Sequence, residues 1–181
     1  LLAGLAGRRL VQLQEQSDAV AQQMAERVEA ALQWTALTET NAARTQALIV
    51  SNDPAVEAEF KELIPATSAR ISEVQKSIAA MHLDDADKAQ MGKVAAARKA
   101  MTDLRAQAGS LKAKGEHEAA VKLVKQQYNP AVAQYLQTLK DFVRMQQQAA
   151  RASQEAMAAA RALVAKFLAA AVAALMLGIV A

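Results

Sequence analysis

The stretch EHEAAVKLVKQQYNPAVAQYLQTLKDFVRMQQQ, Glu116 to Gln148, decides how the rest of the chain is read. Tyr128, Val132, Tyr135, Leu139 and Phe142 recur along it at alternating steps of four and three, the seam of an α-helix packed in a bundle. Pro130 falls inside that pattern; it removes one backbone donor and should bend the helix locally. The sequence continues through RASQEAMAAARALVAKFLAAAVAALMLGIVA, Arg151 to Ala181, shedding charge until nothing after Lys166 is ionisable. That tail reads as the start of a transmembrane helix, short of the ~20 apolar residues a span needs. A helix held in lipid at one end and packed in a polar-surfaced bundle at the other can carry displacement across a membrane.

The opening LLAGLAG, Leu1 to Gly7, is apolar and stops at Arg8 and Arg9. It reads as the trailing end of a first span or of a signal peptide, and the apolar C-terminus favours the two-anchor reading. The expected division is therefore 1–9 as a span end, 10–165 as a helical domain and 166–181 as a span start. Composition agrees, with 53% hydrophobic residues, only 3% aromatics, three prolines and six glycines in 181 residues, a profile of long helices rather than sheet. Without cysteine there is neither a disulfide framework nor a thiolate metal site. A net charge of +3 with no basic stripe interleaved with aromatics makes nucleic acid a poor partner.

From Leu10 to about Val50 the chain is continuous helix former, with Val20, Met24, Val28, Ala31, Thr35, Thr38, Ala42, Thr45 and Ile49 on one stripe. Ser51 to Pro54 (SNDP) supplies a cap, a turn and a proline suited to a first helical turn. The second helix carries Phe60, Ile64, Thr67, Ile71, Val74, Ile78 and Met81; Pro65 interrupts its backbone but not its period. HLDDADK, His82 to Lys88, is the next break, with Asp84 or Asp85 as N-cap. The third helix carries Met91, Val94, Ala97, Met101, Leu104, Ala108 and Leu111, and Gly109 to Gly115 ends it. Two inner helices of roughly 30 residues between two much longer outer ones fit an all-α, up-down-up-down antiparallel four-helix bundle whose first and last helices run toward the membrane.

No catalytic set is present. His82 and His117 fall near opposite ends of such a bundle, without a carboxylate at the spacing a metal or acid/base site needs, and no phosphate loop or serine elbow occurs. The sequence gives no reason to expect a cofactor or an enzyme. What does stand out is polarity at one level. At ~1.5 Å per residue, Thr38, Thr67, Arg98 and Tyr128 on the four helices each lie roughly 20 Å from the tip. Arg105 lies one heptad above Arg98, and Tyr135 one heptad beyond Tyr128.

Neither arginine has an acid three or four residues away, unlike Arg70 with Glu73 or Arg144 with Asp141. Two guanidiniums on one face with no carboxylate in reach suit an anion, which they bind bidentately; the plainer reading is that they snorkel or meet an acid on a neighbouring helix. The expected ligand site is thus an elongated cavity for a small polycarboxylate, with Arg98 and Arg105 on its carboxylates, Thr67, Tyr135 and Tyr128 donating hydroxyls and Thr38 on the wall. A second polar set on the first helix, Trp34, Leu37, Asn41, Arg44 and Leu48, is a candidate symmetric dimer seam.

The chain resembles the four-helix-bundle ligand-binding domain of bacterial methyl-accepting chemotaxis proteins, most tellingly over QYNPAVAQYLQTLKDFV, Gln127 to Val143. More narrowly, Arg98, Arg105 and Tyr135 look like the ligand contacts of bundle receptors for citrate and C4 dicarboxylates such as malate. The resemblance implies a sensor in the bacterial inner membrane, mostly periplasmic over this fragment. It implies too a homodimer, with an oligomer whose size depends on ligand left open, and a response to citrate, malate or succinate by movement of the last helix. A cytoplasmic signalling region would control a histidine kinase through a coupling protein. The paired arginines that aspartate-type receptors carry on helix one are not reproduced, Arg44 being the one candidate. A ligand-free membrane-anchored helical bundle and the sensor of a membrane histidine kinase remain the other readings.

Overall fold

The structure, a computed structural model, describes the backbone over residues 2–180 and the side chains at 8, 11–12, 14–167 and 169–170. Among the described residues every regular element is helical. Helix α1 is Leu2–Val50, α2 Pro54–Ala80, α3 Asp85–Ala113 and α4 His117–Leu123; α4 passes through a π turn at Val124–Tyr128 into α5, Asn129–Val180. These make four rods, the last composed of α4, the π turn and α5 together.

Each turn carries its own instructions. Asp53 caps α2 by accepting the Ala55 N–H at 2.9 Å, with Pro54 at the first helical position. Asp84, not Asp85, caps α3, accepting the Asp87 N–H at 2.7 Å. Gly115, at φ +81°, ends α3: its N–H reaches the Lys112 carbonyl at 3.0 Å while Glu116 N–H reaches Leu111 at 3.0 Å. That pair of bonds needs a left-handed residue, which glycine adopts without strain.

The chain divides into two compact units, Glu26–Gln146 and a second formed by Leu1–Ala25 with Gln147–Ala181. In the first unit, cross-helix bonds fix the directions. Trp34 meets Tyr135 and Arg27 meets Gln146, so α1 and α5 are antiparallel. Arg27 also meets Asp87 while Lys112 reaches the Leu48 and Ser51 carbonyls, so α1 and α3 are parallel. The core runs through Trp34, Ile71, Ile78, Val94, Met101, Val124, Tyr128, Tyr135, Leu139 and Phe142, close to the stripes expected on α2, α3 and α5.

Helix α1 departs from expectation. Its buried face is Arg27, Ala31, Trp34, Thr38, Asn41, Thr45 and Ile49, which merges the expected core stripe with part of the expected dimer seam. The physical reason is breadth: α1 packs against α2 on one side and α5 on the other, so its inward face is wider than a single seam.

The π turn is also unforeseen. Asn129 donates to Val124, five residues back, and Pro130 follows with no N–H to give. A wider turn relieves the clash a proline ring makes with the carbonyl four residues before it. It also keeps Ala120, Val124 and Tyr128, spaced by four and four, on one buried face.

At the end of this unit nearest the α2–α3 turn lies a closed polar clasp. Arg27 pairs with Asp87 at 3.1 Å, their side chains 9% and 7% exposed. Gln146 accepts from the same guanidinium at 3.1 Å and donates to the other Asp87 oxygen at 2.5 Å. Arg27 further donates to the His82 carbonyl.

In the second unit α1 and α5 meet along a thin seam, where Ser17, Met24, Ser153, Met157 and Val164 are only half-buried and Arg161 donates to Gln14. Among the described residues no helix is long and apolar enough to cross a membrane. The expected span ends, Leu1 to Gly7 and most of the chain beyond Phe167, lie outside the described side chains.

Candidate functional site

The polar level foreseen on the four rods is occupied as follows. Thr38 and Asn41 from α1, Ser68 and Ile71 from α2, Arg98, Met101 and Arg105 from α3, and Tyr128 and Tyr135 from the last rod surround one hollow. Five of the six expected ligand residues therefore share it. Thr67 does not: its hydroxyl donates to Leu63 O at 2.8 Å and accepts from Arg44 at 2.9 Å, which turns it away. Its neighbour Ser68 takes the place.

The hollow measures about 10 Å³, room for about one water. The hollow is thus far smaller than the elongated cavity expected at this level, and the arginines beside it bond across from α3 to α2. Arg98 donates to Gln75 Oε1 at 2.5 Å, to Ser72 Oγ at 2.7 Å and to the Ser68 carbonyl at 3.2 Å. Arg105 donates to Ser68 Oγ at 3.0 Å, which also accepts from Asn41 Nδ2 at 3.0 Å. Every one of these acceptors is neutral. Among the described residues the ion pairs are Arg27–Asp87, Lys88–Asp85, Lys99–Asp103 and Arg144–Asp141; Arg44, Arg98 and Arg105 have none.

The electrostatics follow from that imbalance. Arg105 is held below the usual guanidinium range, first by burial and also by Arg98 nearby, against the pull of Tyr128. Tyr128 and Tyr135 are pushed above the usual phenol range by burial, which outweighs the neighbouring threonines and arginines. Tyr135 accepts from the indole of Trp34, the rings meeting edge-on at 6.3 Å and 74°. The Thr45 and Thr38 hydroxyls lie close enough to bias these phenols yet fall outside hydrogen-bond geometry. Thr38 Oγ1, Thr45 Oγ1 and Asn41 Oδ1 are thus buried without a partner, a costly state that a polar guest would relieve.

The residues expected at a dimer seam divide between buried and half-buried positions. Trp34 is fully buried and Asn41 is 5% exposed, the latter donating to Ile64 O at 3.2 Å. Leu37 is half-buried against the core and Arg44 faces Thr67; Leu48 borders a depression lined with Lys112. A roomier depression of about 460 Å³ lies beside Val50, His117, Lys122 and Lys125, but Glu118 also lines it and none of the uncompensated arginines does.

Sequence spacing missed Ser68, Ser72 and Gln75, and set Asn41 on a seam for a second copy. The signal was present on α2, where Ser68, Ser72 and Gln75 repeat at four and three one step behind the apolar stripe. It was missed because short polar residues beside a stripe ordinarily face water. Among the described residues no cluster of His, Asp and Glu could hold a metal.

Residues 1–160 match the profile of a family described as a four-helix-bundle sensory module for signal transduction. No curated protein matches the chain. Among solved structures, the periplasmic sensor domain of a sensor histidine kinase superposes with a TM-score of 0.66 at 18% identity, covering 78% of this chain and 95% of that one. At that identity the likeness is one of fold.

Proposed function

We propose, starting from the fact that this chain belongs to the family of four-helix-bundle sensory modules for signal transduction, that it binds small polycarboxylates such as citrate, malate or succinate for a transmembrane receptor. One observation carries the reading: Arg98 and Arg105, half-buried over a closed hollow, have only neutral partners, and the same hollow holds orphan oxygens of Thr38 and Asn41. A cation of this kind costs desolvation that an internal acid would ordinarily offset. A guest with two or more carboxylates supplies the missing charge, and Tyr128, Tyr135 and Thr38 are placed to donate hydroxyls to it.

In this reading the module sits on the periplasmic side of a bacterial inner membrane, works as a homodimer, and passes displacement of α5 to a cytoplasmic signalling region that controls a histidine kinase through a coupling protein. The solved sensor domain of a histidine kinase favours a second form of the same reading, in which the kinase follows directly on the chain. A purely structural bundle is the reading to be excluded, since it has no use for polar side chains at one level of all four rods beside two uncompensated arginines of α3.

The test uses the single tryptophan. Trp34 donates to Tyr135, so a guest that takes the Tyr135 hydroxyl changes indole emission. Titration with citrate, malate, succinate, benzoate and amino acids, alongside a melting screen, is expected to single out a polycarboxylate. Guest at 100 times its Kd adds about 2.7 kcal/mol to stability. Binding is expected to vanish in Arg98→Ala and Arg105→Ala; unchanged affinity in both ends the proposal.

A further inference from the structure

The contacts of Arg98 point past the hollow. Three of its N–H groups reach α2, at Gln75 Oε1, Ser72 Oγ and the Ser68 carbonyl. Of these α2 residues only Ser68 lines the hollow. Gln75 and Ser72 therefore hold the guanidinium toward their own helix, beside a hollow of about 10 Å³.

Resting on the polycarboxylate reading above, we propose that Gln75 is a neutral stand-in for the ligand: a positioning residue that holds Arg98 against α2 while the site is empty and yields it when a carboxylate arrives. The side-chain chemistry suits the task. An amide oxygen accepts a good hydrogen bond from a guanidinium but brings no counter-charge, whereas a carboxylate brings a negative charge and accepts two parallel bonds from the same group. The amide is strong enough to order Arg98 and weak enough to be displaced. Displacement also cuts a bond between α2 and α3, so binding loosens α2 from α3 and gives the guest its room. Gln75 thereby sets affinity: each guest must first outcompete it.

Two substitutions at this one position are expected to act in opposite directions. Gln75→Met keeps length and removes the acceptor; by the worth of a hydrogen bond to a charged group, citrate should bind about ten- to a hundredfold tighter. Gln75→Glu keeps shape and adds a permanent counter-ion, and citrate binding should fall by tenfold or more. Lys76→Gln on the neighbouring exposed position changes net charge by the same amount as Gln75→Glu and controls for general electrostatics; its affinity should stay near that of the parent. Calorimetry with citrate on the full chain reads all four proteins, with a melting curve for each. A merely structural glutamine would leave Gln75→Met weaker or unchanged and Gln75→Glu no different from Lys76→Gln, and either result overturns the inference while leaving the ligand reading intact. A parent protein blind to every polycarboxylate overturns both.

Discussion

The Glu26–Gln146 unit buries positive charge in two places and treats it in two ways. At the clasp, Arg27 has Asp87 at 3.1 Å, with Gln146 bridging the pair. At the hollow, Arg98 and Arg105 have serines, an amide and a carbonyl. The first set is electrically closed and serves the fold, joining α1, α3, α5 and the α2–α3 turn. The second is open, and in the proposed reading its counter-charge comes from a guest. A buried charge with its counter-charge is a fastener, and one without it is a request.

If this contrast is right, the largest effect belongs to the clasp. Removing one partner of a buried ion pair leaves the other charge stranded, and Asp87→Ala is expected to cost about 3–5 kcal/mol in urea denaturation. Replacing Arg27, Asp87 and Gln146 together by Met, Leu and Leu should return most of that loss, because well-packed apolar residues often match or exceed a buried pair. A triple variant as unstable as Asp87→Ala would show that the clasp does more than neutralise charge.

The next effect lies where the hollow meets the core. Trp34→Phe keeps most of the apolar volume but leaves the Tyr135 hydroxyl without its indole donor, and is expected to cost about 1–3 kcal/mol. A loss well below that range would mean that water replaces the indole.

The spacing on α2, α3 and α5 made the four rods readable, since long apolar stripes at steps of three and four leave few other folds. It also placed Thr38, Arg98 and Tyr128 at one level, with Arg105 one heptad above and Tyr135 one heptad beyond, because depth in a bundle is simple arithmetic from the turns. What spacing could not give was lateral direction on α1, where Trp34 and Asn41 sit on a face shared by two neighbours. The clasp was equally hidden. Its partners are 60 and 119 residues apart in the chain, and no local pattern marks Arg27 as different from any surface arginine.

Alkaline titration separates the two regions by another route. Tyr128 and Tyr135 are raised by burial above their ordinary value of 10.0. Between that value and the folded one, the folded state holds protons that the unfolded state has released. Stability is therefore fully present below about pH 10 and falls as pH rises through the folded values. Arg105, lowered by burial below the usual guanidinium range, acts with the opposite sign, adding stability as pH rises from its folded value toward that range. Denaturation midpoints from pH 8 to 11.5 should decline more steeply in the parent than in Tyr135→Phe. Identical slopes would mean that the Tyr135 phenol titrates freely in the folded chain.

The smallest effect is expected at the arginines on which the functional reading depends. Arg98→Met and Arg105→Met each remove hydrogen bonds to neutral acceptors, a net loss of about 1 kcal/mol. Arg105→Met also removes a cation that burial and Arg98 oppose, and methionine keeps much of the apolar length in both variants. At Arg105 the two contributions have opposite signs, so neither variant should change stability by more than about 1 kcal/mol, in contrast with Asp87→Ala at the clasp. The comparison can be made sharper with salt. Ions screen repulsion between half-buried guanidiniums more than attraction within a buried pair, so high ionic strength should narrow the gap between parent and Arg98→Met while leaving that between parent and Asp87→Ala in place. Were Arg98→Met to cost as much as Asp87→Ala, the hollow would be a second fastener, and its open charge would have a structural use that the geometry of its partners does not suggest.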